Sequence, residues 1–389
     1  MLRVLTLSSL FPDATRPNFG VFVERQTLGL AAHPSVALTI VAPVGIPPWP
    51  LSRHPRYRAL AALPAREMWK GVELLRPRFI VLPGTGGRFH APAMLRAVRR
   101  AIGGRAFDVI DASFFFPDGP AAVALGRELG IPVSIKARGA DIHHWGHARA
   151  TARQVVSAGL AADGLLAVSR AMAADMAAIG IPAEKVRVHH TGVDLARFAP
   201  GDRAAAKARL GVAGPLVVSV GALIPRKGHD VVIDAISRLD GVTLLVAGAG
   251  EAHGALAARI ERSGLANRVR LLGSVPHEEL PGLIAAADVM ALASSSEGLA
   301  NAWVEALACG TPIVIPPAGG AHEVVTVPAA GRVVARDADS FAAAIATLLA
   351  DPPSSEAVRA QALPFTWEAN TAALHAHLAG LVAARQASG

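Results

Sequence analysis

Strands and helices alternate along nearly the whole 389-residue chain. That alternation predicts an α/β protein built on doubly wound parallel sheets. Two further observations carry the prediction. Short apolar runs such as Leu216–Val220 and Ile313–Ile315 read as buried strands. Polar, glycine-bearing loops follow such runs and lead into helices, as in right-handed crossovers. The length suits two domains, each with its own core.

No uncharged apolar stretch is long enough to span a bilayer. The start, MLRVLTLSSLF, lacks a long apolar region and a small-residue cleavage site, so it reads as a first strand rather than a signal peptide. The single cysteine, Cys309, rules out an intrachain disulfide and points to a reducing compartment. No Cys/His cluster has zinc-ligand spacing, and no metal is expected. The net charge of +8 is uneven: residues 1–200 carry 24 Lys and Arg against 13 Asp and Glu. The excess is densest in Arg53–Arg100, near Trp49, Trp69, Phe79 and Phe89. Basic and aromatic residues together suit an anionic membrane surface, or else form a solvated Arg-rich face. No recognition motif for nucleic acid accompanies the charge.

In chain order, a strand at Arg3–Leu7 is followed by the loop 8–20 and a helix over Val21–Ala32. Gly20 precedes that helix, so the loop can offer backbone N–H groups to a phosphate. A strand at Ala37–Val41 comes next. Residues 43–90, rich in Pro, Gly and Arg, predict one strand near Phe79–Leu82 among mobile loops. Then come a helix (Ala91–Ala101), a strand (Val109–Asp111), the loop SFFFPDG and a helix from Pro120. The strand Val133–Lys136 ends in the charged loop 137–147. Helix, strand, helix and strand follow to His189.

A domain boundary is expected at the polar stretch 191–203, giving domains 1–199 and 200–365 and a C-terminal helix, 366–389, packing back on the first domain. In the second domain, strand Leu216–Val220 runs into the loop 221–230. Strands Val242–Ala247 and Val269–Leu272 follow, each with a helix after it. The apolar run Val289–Ala293 leads into SSSEG, a helix Asn301–Ala308, a Cys309-Gly310 stop and another strand. A hairpin-like or strand segment to Val334 and a helix Ala338–Leu349 complete the domain.

The loops after these strands carry the chemistry. Gly221 ends a strand, and Arg226-Lys227-Gly228 precedes a helix. Adjacent cations beside a helix N-terminus suit a diphosphate. Gly248 and Gly250 resemble a dinucleotide fingerprint, but Gly254 is one residue too far along. Glu305 stands in an otherwise apolar helix and needs a partner, because a buried carboxylate is costly unless hydrogen-bonded. A ribose diol or a structural donor would serve. Glu297 sits beside Gly298, facing a ligand or capping the next helix.

These residues together resemble the retaining glycosyltransferases of family 4, whose GT-B fold has two Rossmann-like domains facing across a cleft. The most specific match is Glu-x7-Glu, here Glu297 and Glu305 within S-x-x-EG…EA-x-A-x-G-x-P. GALIPRKG (221–228), AADV (286–289), GG-x-x-E (Gly319, Gly320, Glu323) and TGVD-x-x-x-F (Thr191–Phe198) extend it. NFGVFVERQ (18–26) and RGADI (138–142) look like the bacterial polysaccharide branch.

The resemblance implies roles. Glu305 binds the nucleotide ribose, Glu297 contacts the donor sugar, and Arg226 and Lys227 hold the diphosphate. Gly298, Leu299 and Ala300 add backbone N–H groups near Gly221, and Gly20 lies over the distal phosphate or the acceptor. It implies a metal-independent enzyme with no cofactor beyond a UDP- or GDP-sugar co-substrate, and a glycan or lipid-linked acceptor. The location implied is the cytoplasm, with the basic domain at the inner face of the membrane. One departure stands out: many relatives carry a His in the loop that here reads FFFPDGP (114–120). Asp118 is the nearest polar residue, suited either to sugar hydroxyls or to capping the following helix. Arg138, Asp141 and His143 are the candidates on the acceptor side. The missing His keeps a catalytically silent sugar-nucleotide-binding subunit open. A GT-B epimerase is the other alternative.

Overall fold

The computed structural model describes residues 1–387. The chain divides into two compact units, Met1–Gly192 with Trp367–Gly389, and Val193–Thr366. The division falls at 192/193 rather than at the expected 199/200. Val193 N–H donates to the Phe365 carbonyl at 2.7 Å. The Arg359 guanidinium holds the Leu195 and Phe198 carbonyls, each at 2.8 Å. Both ties fix 193–198 to the second unit.

In the first unit the chain runs β1 (Leu2–Leu7), α1 (Val21–Ala31), β2 (Val36–Val41), β3 (Val44–Ile46), α2 (Pro55–Ala62), β4 (Arg66–Trp69), β5 (Val72–Leu75) and β6 (Arg78–Ile80). It continues through α3 (His90–Ile102), β7 (Val109–Ala112), α4 (Asp118–Leu129), β8 (Val133–Ala137), α5 (Ala140–His143), α6 (Ala152–Ala161), β9 (Gly164–Ala167), α7 (Arg170–Ala178) and β10 (Val186–Val188). Eight strands form one sheet in the order β10-β9-β8-β7-β1-β2-β5-β4, with β3 and β6 pairing separately. All pairs in the large sheet are parallel except β4 with β5. The order reverses between β1 and β7, which defines a topological switch point.

Residues 43–90, where one strand was expected, hold four strands and a helix. The missed hairpin, β4 to β5, turns on Lys70 (φ 48°) and Gly71 (φ 86°), two left-handed residues that suit the strand twist. Its strands escape a hydropathy reading because they are partly charged. Glu67 pairs with Arg76, and Glu73 with Arg66 and Arg105, each at 2.7 Å.

The second unit runs α8 (Arg203–Arg209), β11 (Leu216–Val220), α9 (His229–Ser237), β12 (Thr243–Ala247), α10 (His253–Arg262), β13 (Val269–Gly273), α11 (Leu280–Ala286) and β14 (Val289–Ala291). It ends with α12 (Asn301–Ala308), β15 (Ile313–Ile315), α13 (Ala321–Val324), β16 (Gly331–Val333), α14 (Ala338–Ala350) and α15 (Ser355–Ala360). Its six strands lie in the order β13-β12-β11-β14-β15-β16, all parallel. The hairpin-like or strand segment expected to end at Val334 is the strand β16, and the stretch before it holds the short helix α13. β11, β12 and β14 are buried along most of their length, and α9 and α14 cover one face through Val232, Ile236, Phe341 and Ile345. Such two-sided burial explains why these strands read as uninterrupted apolar runs.

The last helix, α16 (Trp367–Ala387), returns to the first unit. Its Leu374 and Leu378 join the core formed by Val4, Leu30 and Val109. Its Asn370 amide donates to the His190 carbonyl at 2.6 Å. No helix among the described residues is long and apolar enough to cross a membrane.

Candidate active site

The second unit's charged loops converge where its strand order reverses, between β11 and β14. In open α/β sheets ligands bind at the carboxyl ends of the strands beside such a reversal. The loop after β11 carries Gly221 and a short turn, Pro225–Lys227. Gly228 then starts α9 with φ 67°, and a side chain there would collide with the Ala293 carbonyl. That close approach locks the Arg226-Lys227 loop against the end of β14.

Glu297 is the centre of the cluster. The Lys227 ammonium donates to its Oε1, and Arg226 Nη1 lies 3.7 Å from the same oxygen. Arg226 also donates to the Ser296 carbonyl. Ala300, not Glu297, stands at the start of α12, and no side chain caps that helix; the capping role is therefore excluded. The N–H groups of Gly298, Leu299 and Ala300 have no acceptor among the described residues, and the buried Ser294 hydroxyl likewise lacks a partner. Buried donors left unpaired are costly unless a ligand or water meets them. The loop is braced from behind, where Gly320 N–H donates to the Gly298 carbonyl at 2.8 Å.

Glu305, one turn into α12, finds a partner that the sequence did not suggest. His277 Nε2 lies 3.3 Å from its Oε1, and the His277 ring meets Phe198 edge-on at 5.5 Å. Two more residues were missed. His229 Nδ1 lies 2.9 Å from the Ser219 hydroxyl, and its other nitrogen faces the Ala222 carbonyl at 3.3 Å. Burial pushes the His229 pKa down, so the neutral ring braces the Gly221 loop. Arg336 donates to the Ala293 carbonyl at 2.7 Å, adding a third cation beside β14. Lone His and Arg residues far along the chain carry no spacing signal, so only the fold brings them in.

The first unit has its own switch point, between β1 and β7. Gly20, with φ 74°, starts α1, and a side chain there would press on the Leu10 carbonyl. Asp118 lies in the first turn of α4, which begins two residues earlier than expected. It is fully buried and accepts from Ser9 N–H at 2.8 Å, while its Oδ1 has no partner. It neither caps α4 through its side chain nor faces solvent. Burial raises its pKa to about 7, the Ser9 hydrogen bonds oppose the rise, and the charge of Asp141 adds to it.

The expected acceptor-side residues are engaged internally. Asp141 is buried and takes the N–H groups of Phe115, Arg138 and Gly139, which shapes the loop after β8. Arg138 donates to the Ser113 carbonyl at 2.6 Å and to Gln26, and burial lowers its pKa to about 10. His143 pairs with Asp175 at 2.8 Å. Of the three, Asp141 is withdrawn from any acceptor. No group of three or more His, Cys, Asp or Glu residues that could hold a metal ion occurs among the described residues.

Comparison with known proteins gives this geometry a family. The pattern described as Glycosyltransferase Family 4 matches residues 22–197, and that of Glycosyl transferases group 1 matches 202–363. The chain belongs to glycosyltransferase family 4. The D-inositol 3-phosphate glycosyltransferase of Mycobacterium marinum is 36% identical over 204 residues, covering 49% of this chain and 44% of the relative. Its Mycobacterium avium counterpart is 37% identical over 203 residues, covering 49% and 48%. The match thus spans less than half the length of these relatives. Sucrose-phosphate synthase from Thermosynechococcus elongatus superposes with a TM-score of 0.83 at 20% identity, covering 99% of this chain and 100% of that one. The Anabaena protein HepE in complex with UDP gives 0.75 at 21%, covering 98% and 100%. These likenesses establish the GT-B fold for this family member.

Proposed function

We propose that the chain is a retaining glycosyltransferase that moves a hexosyl-type sugar from a UDP- or GDP-sugar to a glycan or lipid-linked acceptor of a surface polysaccharide. The observation that carries this reading is the cluster of Lys227, Arg226 and Glu297 beside three unpaired N–H groups at a switch point. Lys227 and Arg226 hold the diphosphate and neutralise the charge that grows as it leaves. That work needs no metal ion and no cofactor beyond the nucleotide sugar. Glu305, steadied by His277, takes the ribose hydroxyls. Glu297 takes donor-sugar hydroxyls once the diphosphate draws Lys227 away from it. HepE is described with UDP-glucose, which puts UDP-sugars first among donors.

Retention by double displacement would need a carboxylate nucleophile at the anomeric carbon. Asp118 is buried and bonded to Ser9, a poor position for that role. The reading is same-face attack. The acceptor oxygen bonds to the anomeric carbon as its bond to the diphosphate breaks, and a departing phosphate oxygen takes the acceptor proton. The excess positive charge of the first unit favours acceptors at the inner face of an anionic membrane.

The test is turnover with a panel of UDP- and GDP-sugars and lipid-linked acceptors, with products read by mass spectrometry. Glu297→Ala should abolish most transfer. UDP affinity should hold or rise, since Lys227 is freed. Tight UDP binding by the wild type without transfer or hydrolysis would instead assign a silent binding subunit. Unchanged transfer in Glu297→Ala would remove Glu297 from the site.

A further inference from the structure

A groove of about 800 Å³ runs between β6 and α3, wholly within the first unit. Its origin is the pattern of α3. Ala91, Met94, Val98 and Ile102 face the core. Ala93 and Ala97 form a neighbouring stripe one turn apart, too small to fill the space beside Phe79, and so leave a trench. From Phe89 to Arg100 the helix rises about 17 Å, which sets the trench length.

The rim is unusual on two counts. Ile80 and Phe89 are 59% and 45% exposed, and Leu82 is exposed beside them, so one end presents large apolar side chains to solvent. Contiguous exposure of this kind marks an interaction surface more often than a solvated face. The other end carries Arg96 and Arg100, one turn apart, exposed and without a carboxylate partner among the described residues. Their neighbour Arg99 leans away toward Glu128, at 3.5 Å. The two acids of residues 53–100, Glu67 and Glu73, are both neutralised by arginines elsewhere. Arg96 and Arg100 therefore keep an uncompensated positive charge at the rim of the groove, while Glu128 answers only Arg99.

We infer that this groove is where the protein docks on an anionic bilayer. A phospholipid chain lies along the Ala93–Ala97 trench, with its phosphate at Arg96 and Arg100. Charge complementarity and the apolar trench select this occupant. A nucleic acid would leave the trench unfilled, and a soluble anion would leave Ile80, Leu82 and Phe89 in water. The inference rests on reading the basic unit as membrane-facing, and it is independent of the transfer reaction.

The experiment is sedimentation of the full chain with vesicles at low salt. One set is phosphatidylcholine alone; the other is equal parts phosphatidylcholine and phosphatidylglycerol. Binding is expected to the second set only. The double variant Arg96→Gln, Arg100→Gln should weaken it roughly 25-fold, from the loss of two charges near the surface. Ile80→Ser with Phe89→Ser should weaken it as well, with a wild-type circular dichroism spectrum and thermal unfolding profile as evidence of folding. If the apolar variant does not fold, the arginine pair decides alone. Wild-type protein that ignores anionic vesicles would overturn both the groove and the membrane reading. Wild-type binding that the arginine variant leaves unchanged would overturn the groove alone. Loss of transfer to a lipid-linked acceptor, with vesicle binding intact, would make the groove an acceptor-chain site and overturn the bilayer assignment.

Discussion

Both units place charged loops at the switch point of a parallel sheet, but the charges meet opposite environments. In the first unit Asp111, Asp118, Asp141 and Lys136 are fully buried. Lys136 donates to Gln26 and lies 2.8 Å from His189 Nδ1, whose Nε2 in turn faces the Asn370 carbonyl of α16 at 2.9 Å. Burial pushes the Lys136 and His189 pKa values down and the Asp111 and Asp141 values up. These groups hold loops and tie the last helix to the sheet. In the second unit the charges sit shallower and pair with one another. Lys227, 16% exposed, and Arg226, 45% exposed, share one carboxylate. The core beneath them is apolar. Deep charge fixes a scaffold, whereas shallow charge with unpaired donors beside it is free to exchange partners with a ligand.

The sharpest way to break this contrast is Asp118→Asn. The folded state keeps a proton on Asp118 up to about pH 7, whereas the unfolded chain releases it near the ordinary aspartate value of 3.8. The folded state therefore binds more protons between those values. Its stability from this group is full below about pH 4 and is lost as pH rises through about 7, by roughly 4 kcal/mol. Urea unfolding of the wild type across that window should show a decline, and in Asp118→Asn it should be smaller by about that amount, leaving the part that Asp111 and Asp141 contribute. Parallel profiles would place Asp118 in a wetter setting than its burial indicates.

Lys227→Ala tests the other side. If the second unit's charges serve a ligand, transfer should fall about 10²- to 10³-fold, the range for losing one preorganised donor to a transition-state anion. Unfolding stability should move by less than about 1 kcal/mol, as for a shallow ion pair. A large stability loss with modest kinetic change would make Lys227 a scaffold residue like Lys136.

The contrast was only half legible in the sequence. The strand ends and the loops beyond them stand out because two-sided burial leaves uninterrupted apolar runs, as at Leu216–Val220. Glu297 and Glu305 stand out because acids are scarce in such surroundings. Burial of the first unit's acids was not legible. Asp141 looks like any loop acid until the N–H groups of Phe115 and Gly139 close on it from two directions. The β4–β5 hairpin was lost because its charges pair within the fold. His277 reaches Glu305 across 28 positions by the packing of α11 and α12, which no local pattern encodes.

The smallest expected effect separates the two cations of one loop. Arg226 is more exposed than Lys227, stands farther from Glu297, and already donates to the Ser296 carbonyl. A solvent-facing guanidinium acts on a diphosphate through a screened field. Arg226→Gln should therefore weaken UDP binding by up to about fivefold at low salt. The deficit should shrink as salt rises, because the wild type loses the same screened attraction. Titration calorimetry of both proteins at low and high salt reads this directly. A deficit as large as that of Lys227→Ala, and indifferent to salt, would show that Arg226 swings inward and becomes buried against the ligand. Exposure in the free protein would then no longer separate ligand-serving charges from bystanders.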